Sequence, residues 1–206
     1  MGPGDTAASG RARLDAIVDW LQAVAYADVV DAGLDREVLW VVRRCALRVD
    51  RFPVLGDRVT LTTACSSLGA RWAERRTRLA GVEAVALWVA IDPHTFRPAR
   101  IDQLASVYGE SAGDRRVKTG LTHPAPPPDA DVRQWRFRTA DLDVAGHVNN
   151  AAYWQAIEEE PLSDGLYAEI EHREPSGPGD ALLLSSGDRR WLTTPDRTVS
   201  ASFLIS

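Results

Sequence analysis

The stretch Asp141-Leu-Asp143-Val-Ala-Gly146-His147-Val-Asn149-Asn150-Ala-Ala-Tyr153-Trp154-Gln-Ala-Ile-Glu158-Glu159 decides how this chain is read. Ahead of it, Gln134-Trp-Arg-Phe-Arg138 alternates aromatic and polar residues, the pattern of a strand. Behind the loop, Val148, Ala151, Ala152, Tyr153 and Ile157 are spaced as on one face of a helix. Two carboxylates, a glycine and an imidazole therefore sit in a loop that opens onto a helix N-terminus. Free backbone N–H groups and the positive end of the helix dipole can polarise a carbonyl oxygen there. An acid or base beside such a site can carry chemistry.

Working outward, the same unit occurs twice. Asp5-Thr-Ala-Ala-Ser-Gly10-Arg-Ala-Arg-Leu-Asp-Ala16-Ile17 aligns with Asp141 to Tyr153, each with Asp, Gly five residues later, then an amphipathic helix. The first helix is expected from about Arg13 to Ala32, closed by Gly33. Gly56-Asp57-Arg-Val-Thr-Leu-Thr-Thr63 echoes Gly179-Asp180-Ala-Leu-Leu-Leu-Ser-Ser186, a turn followed by an alternating strand in both. Further strands are expected over Val38–Val49, Arg58–Ser66, Ala70–Leu79 and Val82–Ile91, then Tyr167–Arg173, Ala181–Ser186, Arg190–Thr194 and Thr198–Ile205. Such short-linked neighbours build an antiparallel sheet. Residues 109–131, with Pro126-Pro127-Pro128, read as a linker between a unit over 1–108 and a unit over 132–206. The first unit has only Met1–Gly4 where the second has its leading strand. Either the natural start lies further upstream or the unit lacks that strand.

At 206 residues the chain is one large or two small domains. A net charge of −5 supplies no bulk basic field for nucleic acid. No apolar run is long enough to span a bilayer, and Met1-Gly-Pro-Gly-Asp5 lacks the apolar core of a signal peptide. Two cysteines, Cys45 and Cys65, without a C-x-x-C, fit buried thiols in a reducing cytoplasm better than a disulfide framework or a zinc site. The ligand clusters of a metal or redox cofactor are absent, so neither is expected. Seven tryptophans suit either core packing or the wall of an apolar tunnel.

The D-x-D-x-x-G-H-V-N-N-x-x-Y run resembles the signature of hotdog-fold thioesterases. Asp141, Asp143, Gly146, His147, Val148, Asn149, Asn150 and Tyr153 match it position by position. The tandem arrangement, with the segments Trp40–Asp57 and Leu87–Ile101, resembles the acyl-ACP thioesterase family over nearly the whole chain. The resemblance implies an α+β tandem (double) hotdog, each unit a long helix wrapped by an antiparallel sheet. It implies hydrolysis of fatty acyl thioesters, with chemistry in the C-terminal unit and the acyl pocket mostly in the N-terminal one. Acyl carrier protein or acyl-CoA would be the partner, and the alternatives are an acyl-CoA thioesterase on the same fold or a non-catalytic acyl-thioester binding protein. A homodimer through the sheet edges is compatible with this plan.

Asp143 matches the family's acidic residue, which attacks the thioester or activates water; a helix cap is its alternative use. His147 matches the family histidine, with substrate or water orientation as its role and a purely structural bond as the alternative. The N–H groups near Gly146 and His147 are the candidate oxyanion hole, and Gly146 would allow close approach to the thioester. Asn149 and Asn150 suit hydrogen bonding at the loop and helix start, and Tyr153 suits the pocket wall or the core. Asp141 is expected to be structural.

Two departures from the family pattern stand out. Ala145 replaces the usual asparagine two residues after the acidic residue, a feature shared with hydroxybenzoyl-CoA-type hotdog enzymes. The family's strand glutamate corresponds to Glu174, with Glu171 as a weaker rival, but aligning on Gly179-Asp180 places Pro175 there. The first unit has Ala7 in place of Asp143 and Arg11 in place of His147, so it cannot do the same chemistry. Arg71, Arg75, Arg76 and Arg78 on one hairpin, with Arg43, Arg44, Arg48 and Arg51 before it, could face an acidic carrier or simply be a solvated strand face.

Overall fold

The structure, a computed structural model, describes residues 1–34, 38–92, 94–95, 97–101, 103–113 and 116–206. Positions 93 and 96 of the Leu87–Ile101 segment and 114 and 115 of the expected linker lie outside the described residues. The chain runs α1 (Leu14–Asp31), β1 (Leu39–Val49), β2 (Thr62–Gly69), β3 (Trp72–Leu79), β4 (Val82–Ile91), α2 (Leu104–Ala112), β5 (Asp131–Phe137), α3 (Gln155–Glu158), β6 (Leu166–His172), β7 (Gly179–Ser186), β8 (Arg189–Thr193) and β9 (Val199–Ile205). Short 3-10 turns cover Pro3–Asp5, Thr139–Asp141 and Ala152–Trp154. Among the described residues no helix is long and apolar enough to cross a membrane.

The nine strands of the described residues form one antiparallel sheet in the order β2-β3-β4-β1-β6-β9-β8-β7-β5. The order is a palindrome of the repeat. β1 answers β6, β4 answers β9, β3 answers β8 and β2 answers β7. Equivalent strands β1 and β6 pair antiparallel at the centre, from Arg44↔Glu171 to Val49↔Leu166. Antiparallel pairing of two equivalent strands is a local twofold, the arrangement of a symmetric dimer written into one chain. Among the described residues β5 has no counterpart in the first unit. Met1–Gly4 instead leads into a 3-10 turn, and the Met1 ammonium donates to Asp57 O at 2.9 Å.

That missing strand explains a shifted boundary. The strand expected from Arg58 begins at Thr62. In the second unit, Gly179–Ala181 are laddered by β5 alone. The matching start of the first unit has no such neighbour and stays out of the sheet. β5 begins at Asp131, three residues ahead of the expected Gln134, the other strands fall within a residue or two of expectation, and Val82–Ile91 matches at both ends.

Two expectations need correction. The second unit does not carry a long helix: Ala152–Trp154 is a 3-10 turn and α3 adds only Gln155–Glu158. Pro161 bars the helix from continuing, because the residue before a proline is pushed out of the α region. The first helix, by contrast, runs 18 residues and ends at Gly33 with φ +71°. The second correction is α2, which runs across residue 109, where the linker was expected to begin. Its Leu104 packs with Leu34, Ala90 and Ile101, and its Tyr108 hydroxyl donates to Asp28 of α1 at 2.8 Å.

The main core lies between α1, the short second-unit helix and the sheet, around Leu14, Ile17, Leu47, Trp154, Ile157, Ile170 and Phe203. Glu158 ties the halves together there. Its carboxylate accepts the first N–H of α1, Leu14 N, at 2.9 Å and pairs with Arg11 Nη1 at 2.7 Å. Arg13, the residue before α1, makes no side-chain cap of its own, so a carboxylate from the other unit caps this helix. Burial pushes the Glu158 carboxyl up, against the pull of the Leu14 N–H and Arg11.

His172 at the end of β6 is buried against the Tyr153 ring, edge to face with centroids 5.0 Å apart. Burial, and then the nearby Arg43 charge, push its pKa down to about 3. The fold therefore holds a neutral imidazole, while the unfolded chain takes up a proton below about pH 6.5.

Two stability outcomes follow. Glu158→Gln should destabilise by about 2–4 kcal/mol in urea unfolding, because it weakens a buried cap and leaves Arg11 uncompensated. Wild-type stability should carry a contribution that is whole above about pH 6.5 and declines towards pH 3, by at most ~1.4 kcal/mol per pH unit. In His172→Phe that slope should be absent from the urea midpoint plotted against pH.

Candidate active site

The two loops are alike bond for bond. In the second unit Asp143 N donates to His147 O at 2.8 Å, Gly146 N to Asp143 O at 3.0 Å and Asn149 N to Asp141 O at 2.8 Å. In the first, Ala7 N donates to Arg11 O at 2.9 Å, Gly10 N to Ala7 O at 2.9 Å and Arg13 N to Asp5 O at 2.9 Å. Asp141 and Asp5 each accept a bond from the backbone N–H three residues earlier. Gly10 and Gly146 both sit at positive φ, +84° and +76°. No atom lies where a Cβ on Gly146 would go, so the turn's left-handed backbone rather than crowding demands glycine.

On this shared frame the side chains differ. Asp143 is exposed, and its Oδ1 accepts from Ala145 N at 2.8 Å and His147 N at 3.3 Å. Its second oxygen makes no protein hydrogen bond, which leaves one face of the carboxylate for water or substrate. His147 is exposed beside it, with an imidazole that makes no hydrogen bond among the described residues. The Gly146 and His147 N–H groups are spent inside the loop, so they do not form the expected oxyanion hole. Among the described residues two amides of this stretch, Val144 N and Asn150 N, make no hydrogen bond, and Asn150 N lies at the helix start. Asn149 supplies the cap: its Oδ1 accepts Ala151 N at 2.8 Å and its carbonyl accepts Ala152 N at 2.9 Å.

Asp141 is buried and structural, as expected. Burial would raise its pKa, but the Arg138 guanidinium and backbone N–H outweigh that and hold it below the usual carboxylate range. Tyr153 is buried in the core, and its hydroxyl accepts Ser176 N at 3.1 Å. Ser176 O in turn accepts Val148 N at 2.8 Å, so the segment after β6 is laced to the loop. Glu174 lies in that segment but is exposed and has no hydrogen bond to Asp143 or His147.

Glu171 is placed on the other side of the sheet. Strand alternation sends His172 towards the helices and Glu171 away from them. There its carboxylate accepts Thr122 N at 2.6 Å and His123 N at 2.9 Å, which straps the segment before β5 onto β6. His123 Nε2 meets Glu169 at 3.1 Å. His123, Glu169 and Glu171 are close enough together to hold a metal ion, but the Glu171 oxygens are already occupied by backbone N–H groups.

A small cavity of about 20 Å³ lies beneath α1, lined by Val18, Leu21 and Val42 of the first unit and by Asn150, Trp154 and His172 of the second. It holds about one water-sized group. Asn150 is the link between cavity and loop. Gln22 on α1 donates to Asn149 Oδ1 at 2.9 Å and accepts from Asn150 Nδ2 at 3.2 Å, so the first unit braces both asparagines. Gln22 was not foreseen; the signal was an amide on an otherwise apolar helix face. The expected arginine cluster divides between two faces. Arg75 is buried, pairs with Asp28 at 2.5 Å and closes part of the cavity, whereas Arg76 and Arg78 meet Glu83 on the outer face.

Residues 3–107 match the acyl-ACP thioesterase N-terminal domain and residues 126–173 the C-terminal domain of the same enzymes. An uncharacterised protein of Mycobacterium tuberculosis is 27% identical over 184 residues, spanning 84% of this chain and 74% of that protein. The chloroplastic acyl-acyl-carrier-protein hydrolase FATB3 of Cuphea viscosissima is 27% identical over 139 residues, 57% of this chain and 32% of that one. In fold, the chain resembles an acyl-ACP thioesterase from Bacteroides thetaiotaomicron (TM-score 0.81, 17% identity, 100% of this chain and 94% of that chain). It also resembles the 12:0-ACP thioesterase from Umbellularia californica (TM-score 0.78, 19% identity, 100% and 94%). With both halves matched, the chain belongs to the acyl-ACP thioesterase family of thioester hydrolases.

Proposed function

We propose that the chain hydrolyses fatty acyl-ACP at the Asp143 loop, releasing free acid and the carrier thiol. The carrying observation is the half-open carboxylate. One Asp143 oxygen is clamped by the Ala145 and His147 N–H groups while the other is left for a water molecule. The water oxygen attacks the thioester carbonyl as Asp143 takes its proton. The oxyanion forms against Asn150 N–H at the helix start, where the dipole favours negative charge. The C–S bond then breaks and the proton passes to the departing thiolate. His147, beside the carboxylate and unpartnered, orients water or substrate. Gly146 supplies the turn, Asn149 the cap, and Tyr153 anchors the loop from the core rather than touching substrate.

Acyl-CoA is the second reading, and Ala145 favours it. The family's water-holding amide is missing there, as in the CoA-type hotdog enzymes, and the Ala145 N–H instead grips Asp143. Matched acyl-ACP and acyl-CoA substrates decide between carriers; a higher kcat/KM on acyl-CoA would reverse the assignment.

Asp143→Asn should lower kcat by about 10²–10⁴-fold without loss of folding, measured as thiol release. His147→Ala should cost less, about tenfold, as befits an orienting group. Glu174→Gln should remain close to wild type. A loss on the Asp143 scale in that variant would restore Glu174 as a catalytic group.

A further inference from the structure

The internal twofold puts Gln22 and Glu158 in equivalent places, each seventeen residues beyond the aspartate that opens its loop, Asp5 and Asp141. Each side chain reaches across to the stretch where the other unit's helix begins. Glu158 Oε2 accepts Leu14 N at 2.9 Å. Leu14 corresponds to Asn150, nine residues beyond those same aspartates. Gln22 reaches the matching place in the second unit but makes different bonds. Its Nε2 donates to Asn149 Oδ1 at 2.9 Å, and its Oε1 accepts Asn150 Nδ2 at 3.2 Å. The same backbone amide is therefore occupied in the first unit and open in the second, where Asn150 N makes no hydrogen bond among the described residues.

The neighbours of Gln22 fix which way its amide points. Asn149 Oδ1 already accepts Ala151 N at 2.8 Å, so it is an acceptor and the Gln22 atom facing it must donate. The other Gln22 atom is then the oxygen, and Asn150 presents its Nδ2 to it. Around it on α1, Val18, Leu21 and Ala25 are buried and apolar, a face on which an unpaired amide would be unfavourable. Both ends of Gln22 are paired, and both partners belong to the Asp143 loop. A carboxylate in its place has no donor for Asn149 Oδ1. It would take the bond that Glu158 takes in the first unit, from the backbone N–H.

We propose that Gln22 is a positioning residue for the hydrolysis. As a neutral amide saturated by two asparagine side chains, it holds the end of the loop in place and leaves Asn150 N–H open to the thioester oxyanion. A carboxylate there would occupy that N–H and set a negative charge against the one that develops in the reaction. The difference between Glu158 and Gln22 thus joins Ala7 and Arg11 in separating the non-catalytic unit from the catalytic one. The proposal rests on the reading that the Asp143 loop cleaves thioesters with the oxyanion at Asn150 N–H, and it adds a residue of the first unit to that site.

The test compares Gln22→Glu and Gln22→Met with wild type in the full chain, by thiol release from octanoyl- and palmitoyl-ACP and from the same acyl groups on CoA. Gln22→Glu keeps the shape of the side chain and should lower kcat by about 10²-fold or more, the effect of losing an oxyanion donor. Its urea midpoint should be no lower than that of wild type, because the carboxylate gains a charge-assisted bond from Asn150 N. Gln22→Met keeps the length but drops both braces, and should lower kcat by only about tenfold. A residue that merely ties α1 to the second unit would not make the isosteric acid worse than the apolar side chain. A Gln22→Glu variant that is unfolded, or at least as active as Gln22→Met, overturns the proposal and leaves the hydrolase reading intact. If wild type cleaves none of the substrates, the hydrolase reading fails separately. The backbone amide resonance of Asn150 then decides whether Gln22 keeps that N–H open. A downfield shift with slower hydrogen exchange in Gln22→Glu supports it, and an unchanged resonance overturns it.

Discussion

The antiparallel ladder between β1 and β6 is the constraint on which the rest of the molecule depends. It joins two copies of one unit edge to edge, so neither central strand is left as a free edge. It also places α1 and the second-unit helix on the same face of one sheet, close enough for Glu158 to cap α1 and for Gln22 to brace Asn149 and Asn150. Without that pairing the loop carrying Asp143 would lose its support from the first unit, and the cavity would lose half its wall.

The duplicated loops show how much geometry can be kept while chemistry is given up. Both retain the glycine turn, the aspartate that closes the preceding 3-10 turn, and the chain reversal that follows. Only the side chains at two positions differ in consequence. Ala7 removes the carboxylate, and Arg11 replaces an exposed imidazole with a cation that pairs with Glu158 and stacks over Phe52 at 4.8 Å. The first loop has become a clamp on the second unit. An arginine at that place would be poor chemistry beside a thioester but is well suited to a partly buried ion pair.

Much of this was legible in the sequence because it rests on local rules. Alternation placed the strands, Gly33 ended α1, and the spacing from Asp to Gly identified both loops. What escaped rests on tertiary context. The second helix reads as long from Val148 to Ile157, yet Pro161 and the brief connection to β6 leave room for two turns. α2 carries a glycine and too short an apolar pattern to be told from a linker, and it is held by Leu34 and Asp28, residues distant in sequence. Glu171 and Glu174 could not be separated by sequence, because a one-residue shift along a strand reverses the face. The bonding of the Gly146 and His147 N–H groups inside the loop was hidden for a related reason. Which amide remains free depends on the bonds the loop makes to itself.

The same dependence governs the pocket. Seven tryptophans suited a core or a tunnel equally well; Trp191 is buried and donates to Pro124 O, whereas Trp88 and Trp154 border a small cavity. Their large rigid rings leave a space of only about 20 Å³, so a chain of any length must displace side chains to enter. Gln22 lies on the boundary of this space and holds the two asparagines of the loop. Any outward movement of α1 would therefore also pull on Asn149 and Asn150, which couples this space to the loop that carries Asp143.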